Sequence, residues 1–148
     1  DGDSLNDIIT FFGNKGEVVI NTRLLTFDSG FEISGSKNSE LLLQYFSIIR
    51  KYNLQNLDLL EIFYKAQIEN NQNRIDSVNG QLENLIKRKY LYSLNFAITN
   101  SSYEVSPYIA VSQIPDANRD LLKKLYDTLP ENIKSSKYGE VLNNLTID

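Results

Sequence analysis

A chain of 148 residues with 41 % apolar and 23 % charged side chains has the make-up of one ordinary folded domain. It contains no cysteine and no histidine. That excludes thiol redox chemistry, thiolate nucleophiles, histidine-based triads and Cys/His zinc or haem ligation within this chain. A net charge of −4 gives nucleic acid no electrostatic hold.

There is no basic segment followed by an apolar one at the start, and no run of eighteen apolar residues, so neither a signal peptide nor a membrane span is expected. The chain opens at Asp1 and has no methionine, which points to a processed or truncated product. The first elements have strand and turn texture. Ile8 to Phe12 is short, β-branched and aromatic, and Gly13-Asn14-Lys15-Gly16 closes it with a turn signal. Glu17 to Thr22 reads as a second strand. A third runs from about Phe27 to Ser34, with Phe31 and Ile33 alternating and a bend at Asp28-Ser29-Gly30. So small a meander needs more strands or a helix against it, and it reads as a sheet with strands missing before Asp1.

From Ser36 the period becomes helical. Ser36 or Asn38 can cap a helix carrying Leu41, Leu42, Tyr45, Phe46, Ile48, Ile49 and Tyr52, with Glu40 in its first turn. Leu54, Leu57, Leu60, Tyr64 and Ile68 continue at spacings of three and four. After a polar stretch, Glu69 to Arg74, the stripe resumes through Ile75, Val78, Leu82, Leu85, Ile86, Leu91 and Leu94. One very long helix fits this pattern. A hairpin turning inside Glu69 to Arg74 fits it better, because asparagine runs favour turns and a fifty-residue helix is far beyond the usual length. The two helices are expected to meet along these leucine-rich stripes. Further on, Ser106-Pro107 reads as N-cap and first residue of a helix stopping before Pro115. Asp116 reads as the cap of the next, which Pro130 ends, and Ser135 or Ser136 opens a last helix with Tyr138, Val141, Leu142 and Leu145. The fold class is therefore α+β: a small antiparallel β-meander (1–35) followed by a mostly helical region (36–148) with a long antiparallel hairpin and short C-terminal helices, together one domain.

No catalytic, cofactor or metal constellation emerges. Asp1, Asp3, Asn6 and Asp7 resemble the start of a calcium loop, but Leu5 occupies a ligand position and no glycine follows. Lys87-Arg88-Lys89, with Glu83 one turn before Lys87, reads as a solvated helix face. The carboxylates single out no pair for hydrolysis, and the tyrosines and phenylalanines at helical spacing read as core. Asn100-Ser101-Ser102 and Asn144-Leu145-Thr146 match the N-glycosylation tripeptide.

Three segments carry a family resemblance: Gly35-Ser36-Lys37 at the strand-to-helix junction before the charged hairpin, Asn100 to Tyr108, and Leu125-Tyr126-Asp127-Thr128-Leu129-Pro130 with Ser135 to Gly139. Together they resemble the N-terminal region of Bacteroidetes thioredoxin-like lipoproteins of the TlpA/AhpC type, a domain of unknown function. In that family a thioredoxin-fold domain with Cys-x-x-Cys follows soon after the segment matching Lys137-Tyr138-Gly139. The resemblance implies a non-catalytic accessory domain of a periplasmic or outer-envelope thiol–disulfide oxidoreductase, exported through a removed lipoprotein signal. Its implied partners are the thioredoxin-like domain of the same parent chain and a second copy in a homodimer. Asp3-Ser4-Leu5, Asp76-Ser77-Val78 and Asp127-Thr128-Leu129 also resemble the O-glycosylation tripeptide of exported Bacteroidetes proteins. The alternative is a free-standing envelope protein that binds a peptide or small ligand between sheet and hairpin. Because the helix from Leu41 to Tyr52 has more apolar positions than one core-facing stripe requires, an interface is expected at Leu42, Phe46 and Ile49 with Phe11 and Phe12.

Overall fold

A computed structural model describes residues 9–13, 16–22 and 30–147. Two strands, β1 (Val19–Asn21) and β2 (Glu32–Ser34), precede six helices: α1 (Lys37–Ile68), α2 (Gln72–Thr99), α3 (Val105–Gln113), α4 (Arg119–Thr128), α5 (Glu131–Lys134) and α6 (Lys137–Thr146). The class is the expected α+β, with a small antiparallel sheet first and a long helical hairpin after it. The chain divides into two compact units, residues 1–44 and 45–148.

In the first unit β1 and β2 pair antiparallel, Val19 with Ser34, Ile20 with Ile33 and Asn21 with Glu32. Alternation puts Ile33 inside and its neighbours Glu32 and Ser34 outside. Residues 9–13 form no strand. Their backbone is held by side chains instead: the Phe12 N–H donates to Ser39 Oγ at 2.9 Å, and the Ser36 and Ser39 hydroxyls lie 3.3 and 3.2 Å from the Phe12 carbonyl oxygen. A strand-like composition thus finds its hydrogen bonds at a helix start rather than in a sheet. Ser36 also caps α1, accepting from the Ser39 N–H at 3.3 Å. Gly35 turns the chain from β2 into that cap at φ +84, where an added Cβ would collide with the Glu17 carbonyl oxygen. The acidic residues Asp1 to Asp7, Asn14-Lys15 and the bend at Asp28-Ser29 lie outside the described residues.

The hairpin turns where the asparagines stand. Asn70 takes the left-handed conformation (φ 52), its N–H bonds the Gln67 carbonyl, and the Asn71 N–H bonds that of Ala66. These are the two bonds of a Schellman helix end, with asparagine in the place glycine usually takes. Asn71 then caps α2, its side chain accepting from the Arg74 N–H at 3.1 Å.

The seam of the hairpin is not the expected leucine stripe of α1. It runs through Tyr45, Ile49, Tyr52, Asn56, Leu59, Phe63 and Ala66, every one buried or half-buried. Phe96, Tyr92, Lys89, Leu85, Leu82, Val78 and Ile75 descend α2 in step with it. Both stripes alternate steps of three and four, the coiled-coil period. Rings fill the proximal end: Tyr45 stacks on Tyr92 at 5.6 Å and meets Phe96 at 5.1 Å, and Tyr52 tilts on Tyr92.

At the far end of α2 the short helices build the main core of this unit, from Leu94 and Ala97 through Ala110, Ile114, Leu122, Leu125, Leu129, Ile133 and Leu142. Three caps differ from the sequence reading. Ser106 lies inside α3 and donates to the Ala97 carbonyl at 2.7 Å, tying α3 to α2. Asn118, not Asp116, caps α4 by accepting from the Asp120 N–H. Pro130 not only ends α4 but starts the extra helix α5, where its fixed φ suits an N-cap position and its missing N–H costs nothing. Ser136 caps α6 as expected. Gly139 lets α6 approach α5, since any Cβ there would overlap the Ile133 and Lys134 carbonyl oxygens.

Candidate interaction surface

Of the leucine stripe read from the sequence of α1, Leu60 is half-buried and the other four positions point away from α2. Leu54, Leu57, Tyr64 and Ile68 are 56, 61, 59 and 81 % exposed. At about 100° per residue the line through residues 54, 57, 61, 64 and 68 is centred roughly 150° from the line through the seam positions, which puts it on the far side of the helix. The stripe keeps the steps of three and four, with one charged position, Glu61. Glu61 pairs with Lys65 one turn later at 2.5 Å, and that hydrogen bond, with the lysine's charge, holds its carboxyl below the ordinary range. Scattered exposed leucines are normal on proteins; here four large apolar side chains are exposed along one face of a single helix.

The flank of the hairpin carries a second feature. An open groove of about 380 Å³ is lined by Gln55, Asp58 and Leu59 of α1 and by Gln81, Asn84, Leu85 and Arg88 of α2. Three amides, one acid and one base can hydrogen-bond an extended chain; the lining holds no hydroxyl, thiol, lysine or imidazole group. Among the described residues four serines are buried, and each is occupied in holding structure. Ser36 and Ser39 bind the Phe12 backbone, Ser106 binds Ala97, and Ser93 Oγ lies 2.7 Å from the Tyr45 hydroxyl and donates to the Lys89 carbonyl. Burial pushes the Tyr45 phenol up to about 12, so it stays neutral as a structural group. Among the described residues no cluster of three His, Cys, Asp or Glu side chains is placed to hold a metal ion. No helix of the described residues is long and apolar enough to cross a membrane.

The residues singled out from sequence are spread over different surroundings. Phe11 is exposed, Phe12 half-buried, and Leu42 buried. In the helical unit Ile49 is buried in the seam, while Phe46 is half-buried with its ring edge-on to Tyr45 at 5.4 Å. The basic triplet divides: Lys87 faces solvent, the Arg88 guanidinium sits 5.8 Å over the Tyr52 ring, and Lys89 Nζ reaches Asn53 at 2.9 Å. Asn100 closes α2, its side chain donating to the Phe96 carbonyl, and Asn144 is exposed on α6. Of the O-glycosylation-like tripeptides, Asp76-Ser77-Val78 lies inside α2, Asp127-Thr128-Leu129 ends α4, and Asp3-Ser4-Leu5 is outside the described residues. The sequence shows the outward stripe as a period without showing what covers it; the second period, from Tyr45 through Tyr52 to Phe63, is the one that faces α2.

Compared with known proteins, the chain matches no family model, no curated protein and no solved structure.

Proposed function

We propose that this chain is a non-catalytic contact module, the N-terminal accessory domain of a cell-envelope thiol–disulfide oxidoreductase, exported to the periplasm or outer envelope by a removed lipoprotein signal. The observation that carries the contact role is the outward apolar stripe of α1, which the chain's own helices leave exposed. The link to a redox enzyme rests on the resemblance around Gly35-Ser36-Lys37, Asn100 to Tyr108 and Leu125 to Gly139. A chain without sulfur leaves all thiol chemistry to an attached domain, since exchange begins with a thiolate attacking a disulfide. The amide-lined groove favours a second reading, a free-standing protein that binds an extended peptide.

The coding sequence after Asp148 separates the two. A thioredoxin-like segment with Cys-x-x-Cys is expected there; a stop codon directly after Asp148 overturns the accessory reading and leaves the peptide binder. The 148-residue chain alone is expected to reduce insulin no faster than buffer, and the longer gene product to reduce it through the appended segment. Turnover by the short chain would remove the non-catalytic assignment.

A further inference from the structure

Leu54, Leu57, Glu61, Tyr64 and Ile68 repeat at steps of three, four, three and four over about 21 Å of helix. In heptad terms Leu54, Glu61 and Ile68 are a positions, Leu57 and Tyr64 are d positions, and Asp58 and Lys65 are the flanking e positions. Flanking charges decide which way a partner helix runs. In a parallel pair of identical helices e meets g, so Asp58 would face the partner's Asn53 and Lys65 the partner's Leu60, with no charge answered. In an antiparallel pair e meets e, so Asp58 faces the partner's Lys65 and, by the two-fold axis, Lys65 faces the partner's Asp58. The same register sets Leu57 against the partner's Ile68 and Tyr64 against the partner's Glu61, where the phenol can donate to the carboxylate. The one acid on the stripe thus meets a donor, and it keeps its own Lys65 beside it.

We propose that the outward stripe of α1 is a self-association seam on which a second copy of this chain packs antiparallel, arm against arm. The proposal rests on the reading of the chain as a contact module and names the partner of that surface. A seam two heptads long is smaller than a standard stable interface, so the pair belongs to the weak, reversible class with micromolar dissociation.

Sedimentation equilibrium of the 148-residue chain tests it. A monomer–dimer equilibrium is expected, with dimer dominant at about 100 μM, as micromolar affinity requires. Leu57→Glu and Tyr64→Glu, both at exposed positions, should each weaken dimerisation about tenfold or more while the helical circular dichroism stays unchanged. Asp58→Lys and Lys65→Glu should each weaken it about three- to tenfold, and the double variant should recover to within about twofold of the parent. A parent chain that stays monomeric throughout overturns the proposal, as does a dimer indifferent to the stripe variants or a double variant weaker than either single one. Failure here is separate from failure of the accessory reading. A monomer whose gene continues into Cys-x-x-Cys loses only the self-pairing, and a dimer whose gene stops after Asp148 loses only the redox attachment.

Discussion

At the base of the helical unit, the short helices close around one end of α2 and bury Ile109, Leu122, Leu125 and Leu142 almost completely. In the arm, among the described residues, α1 and α2 bury one stripe of each other, and Leu54, Leu57, Tyr64 and Ile68 remain exposed. The two regions draw on the same residue types, so what separates them is the number of elements available to cover each helix. A helix in a hairpin can bury one stripe; a second stripe on its far side needs another body. The arm is held by one seam, closed by the Schellman turn at Asn70 and the Asn71 cap, where the base shares a core among several helices.

The largest effect that separates the regions is expected for Leu125→Ala, which empties a fully buried site in the base. It should cost about 2–5 kcal/mol in urea unfolding. A cost under 1 kcal/mol would mean that the base is loosely packed and would erase the contrast. Gly139→Ala comes next: the new methyl meets the Ile133 and Lys134 carbonyl oxygens, and the shift this forces between α5 and α6 should cost about 1–3 kcal/mol. A neutral result there would show that α5 moves freely.

Tyr45 sharpens the comparison from the arm's proximal end. Its phenol is held neutral by burial, so its contribution is whole below the ordinary tyrosine value of 10.0 and is lost as pH rises toward about 12. Tyr45→Phe removes the bond to Ser93 and should cost about 1 kcal/mol at neutral pH, with a shallower decline in stability above pH 10. An alkaline limb identical to the parent's would place the responsible group elsewhere. The smallest effect belongs to the outward stripe: Leu57→Ala should change the stability of the dilute chain by no more than about 0.5 kcal/mol. A loss comparable with that of Leu125→Ala would show that the stripe is covered after all.

The turn of the hairpin was legible because local chemistry decides it: a left-handed residue and a cap were both needed, and the asparagines of 70 to 73 supply them. The extra helix α5 was not, because Pro130 stops one helix and starts another with the same fixed φ. Ser106 looked like a cap from its neighbour Pro107, yet its hydroxyl is spent on Ala97, nine residues away, a choice that only tertiary packing makes. The interior of the hairpin failed for a similar reason. α1 offers two apolar periods, and the one richer in leucine drew the assignment, although the aromatic one fits the space against Tyr92 and Phe96. Periodicity reports that a face is apolar; it does not say which neighbour will cover it.

The position of Asn70 also governs the order of assembly. Seam partners near the turn are close in sequence, whereas Tyr45 and Ser93 at the other end are 48 residues apart. Loop-closure entropy rises with that separation, so the least costly first contacts lie at the tip, and each pair formed shortens the loop left to close for the next. The arm is thus expected to zip from the turn toward the base, with Ala66 and Ile75 meeting early and the tyrosine cluster late. Asn70→Ala, which penalises the left-handed turn, should then slow folding more than it speeds unfolding in stopped-flow chevrons. A variant that alters only the unfolding limb would mean that the chain nucleates at the base and the arm closes last.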